Sequence, residues 1–185
     1  MHGIDDHQLM IQVREGEVSK LGMLFERHHT RLFNFFLKLT GNRQASEDLV
    51  QDVFLRMLRY RHTYQSDSDF LTWAYQIARN ARFDYYQKRR NEATWDVDTD
   101  ERKSTDLTPV ERLERKQEIG NLRSALLRLP DDKRELLVLT RFQNLKYEQI
   151  ASILCCDVGT VKVRVYRAIR ELGRHYHELT GERAS

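Results

Sequence analysis

Apolar residues recur every third or fourth position along almost the whole chain, and that periodicity fails once, between Asn91 and Glu111. A 3.6-residue repeat collects such positions on one face of a helix, so the chain reads as helices on either side of one interruption. Only 2 Pro and 8 Gly occur in 185 residues, few breakers for a strand-rich fold. The interruption carries seven acids (Glu92, Asp96, Asp98, Asp100, Glu101, Asp106, Glu111) against Arg102 and Lys103, with Ser, Thr and Pro109. Apart from Trp95 it has almost nothing that could form a core, which is linker composition. The expected fold is therefore all-α: two small helical domains, residues 1–90 and 112–185, joined by a flexible acidic linker over 91–111. A length of 185 residues suits two small domains.

In the first half, Leu9, Val13, Leu21, Leu24 and Phe25 open an apolar stripe that Leu32, Phe35, Phe36 and Leu39 continue until Thr40, Gly41 and Asn42 break it. Ser46 is the expected N-cap of the next helix, with Glu47 and Asp48 favourable in its first turn. Leu49, Val50, Val53, Phe54, Met57 and Leu58 form its apolar face. The polar run Tyr64 to Asp69 reads as a loop. A helix from Phe70 to Arg90 follows, with Trp73, Ile77, Ala78, Ala81 and Tyr85 inward.

The second half holds a sharper pattern. A helix rich in Leu stops at Pro130, where the ring removes a donor, and Asp131 or Asp132 is expected to cap the next. Tyr147 to Leu154 is a short apolar helix, Cys155 and Cys156 fill a tight turn, and Asp157 stands as the N-cap of a second helix. The small Ala151 and Val161, ten positions on, have the spacing of a helix-turn-helix. Along the second helix Val158, Val161, Val165, Ala168 and Leu172 share a face expected to be buried. Lys162, Val163, Tyr166, Arg167 and Arg170 share another, suited to a major groove: cations reach guanine O6 and N7, and a valine can touch a thymine methyl. A hairpin with a solvated basic face is the alternative.

The net charge of +3 says little, but its distribution says more. Arg79, Arg82, Lys88, Arg89 and Arg90 meet only Asp84 in the Phe70–Arg90 segment. Cations hold phosphates, and interleaved aromatics can receive an unstacked base, although Trp73, Phe83 and Tyr85 would serve equally as core.

Two segments, Glu47 to Leu58 and Phe70 to Asn80, together resemble region 2 of the extracytoplasmic-function sigma factors of the sigma-70 family. Leu129-Pro130, Tyr147 to Ala151 and Val158 to Lys162 resemble their region 4, in the same order and at the same spacing. The resemblance implies a bacterial transcription initiation factor that makes and breaks no covalent bond. It implies core RNA polymerase as a partner, through the β′ coiled coil and the β flap, promoter DNA as the ligand, and no cofactor or metal. Asp48, Gln51, Asp52, Phe54 and Leu58 match the polymerase-binding helix. Tyr64, Gln65, Ser66 and Asp67 match the loop that captures a −10 base, and Asn80 the position that helps hold it, beside Arg79. Lys88, Arg89 and Arg90 match duplex-backbone contacts, and Arg141, Lys162, Val163, Tyr166 and Arg167 match −35 contacts. An anti-sigma factor is a partner the family often has, and no residue of the sequence decides whether this chain has one. Lys146 departs from the Ser or Thr that caps the corresponding family helix, so Asn144 is the substitute cap.

Other readings fare worse. No P-loop, Rossmann glycine motif or nucleophile elbow supports an enzyme. Cys155-Cys156, His175 and His177, or His28-His29, lack the spacing of a structural zinc site. A redox role for the two thiols is the weaker use of that pair. Adjacent cysteines make no disulfide framework and fit a reducing cytoplasm. The N-terminal residues carry two Asp and no apolar run, and no stretch of about 18 apolar residues is present, so no signal peptide or membrane insertion is expected. A conventional helix-turn-helix regulator with an N-terminal sensing domain would explain the second half, but neither the Asp48, Gln51, Asp52 face nor the Arg79-Asn80 helix.

Overall fold

The computed structural model describes residues 4–91 and 109–181; of 89–91 and 109–115 only the helical backbone is described. Residues 92–108, with Trp95 and most of the linker expectation, lie outside the described residues, as do the side chains of Arg89 and Arg90. The elements are α1 (Asp6–Arg14), α2 (Lys20–Thr40), α3 (Arg43–Arg59), a 3₁₀ turn (Arg61–Thr63) and α4 (Phe70–Asn91). After the undescribed stretch come α5 (Pro109–Arg128), α6 (Asp131–Leu137), a π turn (Val138–Phe142), α7 (Tyr147–Ile153) and α8 (Val158–Thr180). The helices therefore extend past the sequence boundaries on both sides, to Asn91 and from Pro109.

The first four helices form a bundle. Leu9, Met10 and Val13 of α1, Leu24, Leu32, Phe35, Phe36 and Leu39 of α2, and Leu49, Val53 and Met57 of α3 are buried in it. Phe35 meets Phe36 and Tyr75 edge to face at 5.2 and 5.1 Å between ring centroids, the arrangement aromatic quadrupoles favour. Phe25, assigned to the stripe from sequence, lies at the surface and packs edge to face on Phe54 at 5.0 Å.

The start of α3 corrects one expectation. The helix begins before Ser46, and Asn42 is its cap, accepting the Ala45 N–H at 2.7 Å. Ser46 is instead fully buried and turns its hydroxyl back on the Asn42 carbonyl at 2.6 Å. A hydroxyl inside the first turn can satisfy itself on the carbonyl four residues earlier, so the helix does not need it as a boundary. Gly41, at φ 68°, ends α2 in the left-handed conformation that a residue without Cβ adopts most easily.

Two further caps differ from expectation. Pro130 occupies the N-cap position of α6, with Asp131 and Asp132 already in its first turn. Asn144 does not cap α7; it has φ 50°, and the N–H of Lys146 at the helix start is accepted by Gln149 Oε1 at 2.9 Å. Asp157 does cap α8 as expected, accepting the Thr160 N–H at 2.8 Å.

The two helical units are packed together. Beside Gly41, a side chain would meet Leu127 of α5, whose Cδ1 lies 3.2 Å from an ideal Cβ position. Arg134 donates to Leu39 O at the end of α2 (2.7 Å) and to Leu127 O (2.7 Å) and Leu129 O (2.9 Å) at the end of α5. One guanidinium thus serves carbonyls at two helix C-termini, where cations are favoured.

Candidate nucleic-acid interface

The helix-turn-helix is built from α7 and α8. Ile150, Ala151 and Ile153 of α7, and Val161, Val165 and Ala168 of α8, are buried where the helices cross. Cys155 takes φ 51° in the turn between them. It is exposed and Cys156 partly so, and both are free thiols. Burying one stripe of α8 turns the other outward: Lys162, Val163, Tyr166, Arg167 and Arg170 are all exposed. Arg170 lies over the Tyr166 ring at 5.9 Å. Val158 and Leu172, expected inside, are only partly covered and pack against the edge of the core. Arg141, in the π turn, is exposed as well. The result is an uninterrupted surface of cations, a valine and a tyrosine on a helix of reading length.

The second surface is on α3. Asp48 and Gln51 are exposed and Asp52 is half-buried. Of the two apolar residues assigned to this surface from sequence, Phe54 is buried and Leu58 half-buried. The apolar side chain on the outer face is Leu55, 64 % exposed. Positions 48, 51, 52 and 55 follow the i, i+3, i+4, i+7 pattern of one face, so a helical wheel of the acidic positions would have pointed to Leu55. Asp52 accepts Arg56 Nε at 2.9 Å, and the same guanidinium reaches Asp84 of α4 at 2.7 Å. Burial works against its charge, but these two bonds prevail and hold it protonated more firmly than a free arginine.

The third surface is on α4 and the loop before it. Gln65, Ser66 and Asp67 are exposed, whereas Tyr64 is 1 % exposed. Its hydroxyl donates to Ser68 O at 3.0 Å and lies 2.9 Å from His7 Nδ1, and its ring meets Trp73 edge to face at 5.1 Å. Tyr64 therefore shapes the loop from beneath rather than presenting a face to a ligand. Asp69 starts α4, accepting both the N–H and the hydroxyl of Thr72 at 2.8 Å.

On the outer side of α4, Asn80, Phe83 and Lys88 are exposed. Asn80 lines a concavity of about 350 Å³ with Arg56, Tyr60, Ile77, Phe83 and Asp84. Tyr60 and Phe83 are large exposed aromatics, Phe83 at 62 %. An amide between two accessible rings can both hydrogen-bond and stack a flat heterocycle. Sequence reasoning placed Asn80 but missed its aromatic neighbours, because Tyr60 lies on a different element and Phe83 also fits a core role.

The inner side of α4 faces the C-terminal unit. Arg79 donates through Nε to Glu135 at 3.1 Å and through its terminal nitrogen to Ile153 O at 2.7 Å. Arg82 reaches Asp131 at 2.9 Å. Gln76 donates to Ser152 O at 3.3 Å, and Gln149 to Asp69 at 2.9 Å. Arg79 and Asn80, adjacent in sequence, thus face a protein partner and open solvent respectively.

A family model described as Sigma-70 region 2 matches residues 24–92, and one described as Sigma-70, region 4 matches residues 119–172. The ECF RNA polymerase sigma factor EcfG of Rhodopseudomonas palustris is 37 % identical over 138 residues, 75 % of each chain. The ECF RNA polymerase sigma-E factor of Escherichia coli is 30 % identical over 175 residues, 89 % of this chain and 91 % of the relative. The RNA polymerase sigma-H factor of Pseudomonas aeruginosa is 27 % identical over 186 residues, 96 % of each. Two solved structures share the fold at 24 % identity. CnrH in complex with the cytosolic domain of CnrY aligns over 91 % of this chain and 95 % of its own, with a TM-score of 0.69. RpoE in complex with the anti-sigma factor NepR from Bartonella quintana aligns over 86 % and 96 %, with a TM-score of 0.68.

Proposed function

The chain belongs to the extracytoplasmic-function sigma factors of RNA polymerase, and we propose how its three surfaces divide the work of promoter recognition. The α8 face, with Lys162, Val163, Tyr166 and Arg167, reads the −35 duplex, with Arg141 as a flanking contact. The single observation that carries this assignment is the joint exposure of these side chains on a helix capped by Asp157 and seated on α7. Their cations supply the salt-dependent affinity, and Val163 the apolar base contact.

The α3 face takes core polymerase through the β′ coiled coil. Asp48, Gln51 and Asp52 provide polar contacts, and Leu55 serves as the apolar anchor in place of Phe54. An apolar centre with a polar rim is the usual anatomy of a protein interface. The β flap is the contact assigned to the C-terminal unit.

The −10 element meets α4. Asn80 holds a base extruded from the stack, with Tyr60 and Phe83 as stacking partners, and Gln65, Ser66 and Asp67 approach it from the loop. Tyr64 supports that loop from inside. Arg79, Lys88, Arg89 and Arg90 hold the backbone. Capturing a base out of the duplex lowers the cost of melting next to it. The chain forms and cleaves no bond in this mechanism, and it acts in the cytoplasm, where core polymerase is. No helix among the described residues is long and apolar enough to cross a membrane. The two similar folds were solved with CnrY and NepR bound, which supports an anti-sigma factor as a further partner of this chain. Residues 1–90, 91–111 and 112–185 remain the proposed functional division.

The test is run-off transcription by purified core polymerase with and without the chain on a pool of promoter fragments. Discrete new starts sharing upstream −35 and −10 sequences are the expected result. Salt-resistant binding of the chain alone to a palindromic site, without new starts, would support the conventional regulator instead.

A further inference from the structure

We propose that Asp84 selects the captured base, accepting a hydrogen bond from an exocyclic amino group and rejecting a base that carries a carbonyl at that position. This rests on the reading that Asn80 holds an extruded base in the concavity on α4.

Asn80, Phe83 and Asp84 stand at i, i+3 and i+4 on one stripe of α4, and Arg56 and Tyr60, from the end of α3, line the same concavity. The rings of Tyr60 and Phe83 are exposed and can stack any base, because every base has a π face. Stacking therefore makes no choice among bases. That choice has to come from the polar groups. The Asn80 amide carries both donors and an acceptor and can turn to suit either kind of partner. Asp84 differs, because a carboxylate only accepts.

Two bonds fix how that carboxylate is presented. Arg56 donates to Asp84 Oδ2 at 2.7 Å, and its own Nε is held by Asp52 at 2.9 Å. Oδ2 is thus committed to α3. The side chain is still 57 % exposed, so Oδ1 is the oxygen left to a ligand. A carboxylate repels phosphate, so this oxygen contributes nothing to backbone binding. It serves a donor on a base edge.

Cytosine N4 and adenine N6 are such donors, and a carboxylate accepting from cytosine N4 is an established pairing. Uracil, thymine and hypoxanthine place a carbonyl oxygen there instead. Two acceptors then face each other with no proton between them, and both lose water without a replacement bond. A site built around one hydrogen bond discriminates strongly against an analogue that cannot make it. Guanine carries a carbonyl and an amine on one edge, so the pairs that isolate the effect are cytosine with uracil and adenine with hypoxanthine.

The test uses holoenzyme assembled with the full chain. The probe is fork DNA carrying the −10 strand of a promoter mapped by the run-off assay. Each −10 position is replaced in turn by cytosine, uracil, adenine and hypoxanthine, and binding is read by fluorescence anisotropy. At one position wild type is expected to prefer cytosine over uracil, and adenine over hypoxanthine, by about tenfold. Asp84→Asn keeps an oxygen for Arg56 and turns an amide N–H toward the base, so the preference at that position should level or reverse. A carboxylate that only joins α3 to α4 predicts instead an equal loss for both members of each pair. If Asp84→Asn does not fold by circular dichroism, Asp84→Ala, which removes the acceptor, should level the preference without reversing it. Three results would overturn the Asp84 proposal alone while Asn80→Ala still weakens fork binding: no amine preference in wild type, a preference that survives Asp84→Asn, or an equal loss for both members of each pair. Fork binding that Asn80→Ala leaves unchanged would overturn the reading of the concavity beneath it.

Discussion

The Tyr75 hydroxyl donates to Gln143 Oε1 at 2.7 Å across 68 positions of sequence, with both side chains buried. Burial holds the phenol protonated well above its ordinary range, so it remains a donor at any physiological pH. Tyr75→Phe keeps the ring contact with Phe35 and removes only the hydroxyl. Gln143 Oε1 keeps Arg31 Nε at 3.2 Å, so it is not orphaned. The expected cost is about 1 kcal/mol, the net worth of an ordinary buried hydrogen bond. It is read as a lower urea midpoint with an unchanged denaturant slope. An unchanged midpoint would mean that this bond makes no net contribution to holding the units together.

Leu55 separates two readings of α3. It is exposed, so Leu55→Ala should leave stability within about 0.5 kcal/mol. If it anchors the polymerase interface, the same change should weaken core binding by about tenfold, equivalent to roughly 1.4 kcal/mol. Phe54→Ala should do the reverse, costing roughly 3 kcal/mol or more of folding stability because Phe54 is buried against Phe25. Titration of core polymerase with labelled protein, alongside thermal melts, measures both. Equal core affinity for wild type and Leu55→Ala would remove the anchor from this face.

How far the sequence predicted these features depended on the range of the signal. Helical periodicity marked α2, α3, α4 and α8 because the buried stripe repeats locally, and Asp157 was readable as a cap because its partner, Thr160, is three residues away. Ser46 misled because a Ser followed by acids has the look of a cap, while Asn42 already supplied one. The packing of the two units was not legible. Arg79 and Arg82 read as solvated or DNA-facing cations and Arg134 stood out in no pattern, and their partners Glu135, Asp131 and Leu39 O lie 49 to 95 positions away. No local pattern announces such pairs. Among the candidate site residues, the α8 face followed from spacing alone, whereas the concavity at Asn80 needs Tyr60 from another element.

The α8 face makes a quantitative prediction about salt. Each phosphate contact releases a condensed counterion, so log affinity falls with log salt by about 0.9 per contact. Lys162→Ala with Arg167→Ala should flatten that slope by about 2 if both hold phosphates. Val163→Ala should leave the slope unchanged and relax preference at one base pair, because an apolar contact releases no counterion. Holoenzyme binding to −35 fork DNA over a salt series measures both. A full slope in the double variant would show that Lys162 and Arg167 touch bases or solvent rather than phosphates.

Asp69 predicts how the molecule responds to acid. Its carboxylate is partly buried, which favours protonation, but the N–H and hydroxyl of Thr72 and the Gln149 amide outweigh that and hold its pKa below the ordinary value. The folded pKa lies below the unfolded one. The stabilisation is therefore complete above the unfolded value, about 3.9, and is lost as pH falls through the lower folded value. Asp69→Asn retains a good helix cap but carries no titrating proton. Wild type should lose stability from about pH 4 downward more steeply than Asp69→Asn, and the two curves should run parallel near neutrality. Urea midpoints from pH 7 to pH 3 test this. Parallel curves over the whole range would mean that Asp69 titrates alike in folded and unfolded chains, and that its bonds to Thr72 and Gln149 do not discriminate between its two protonation states.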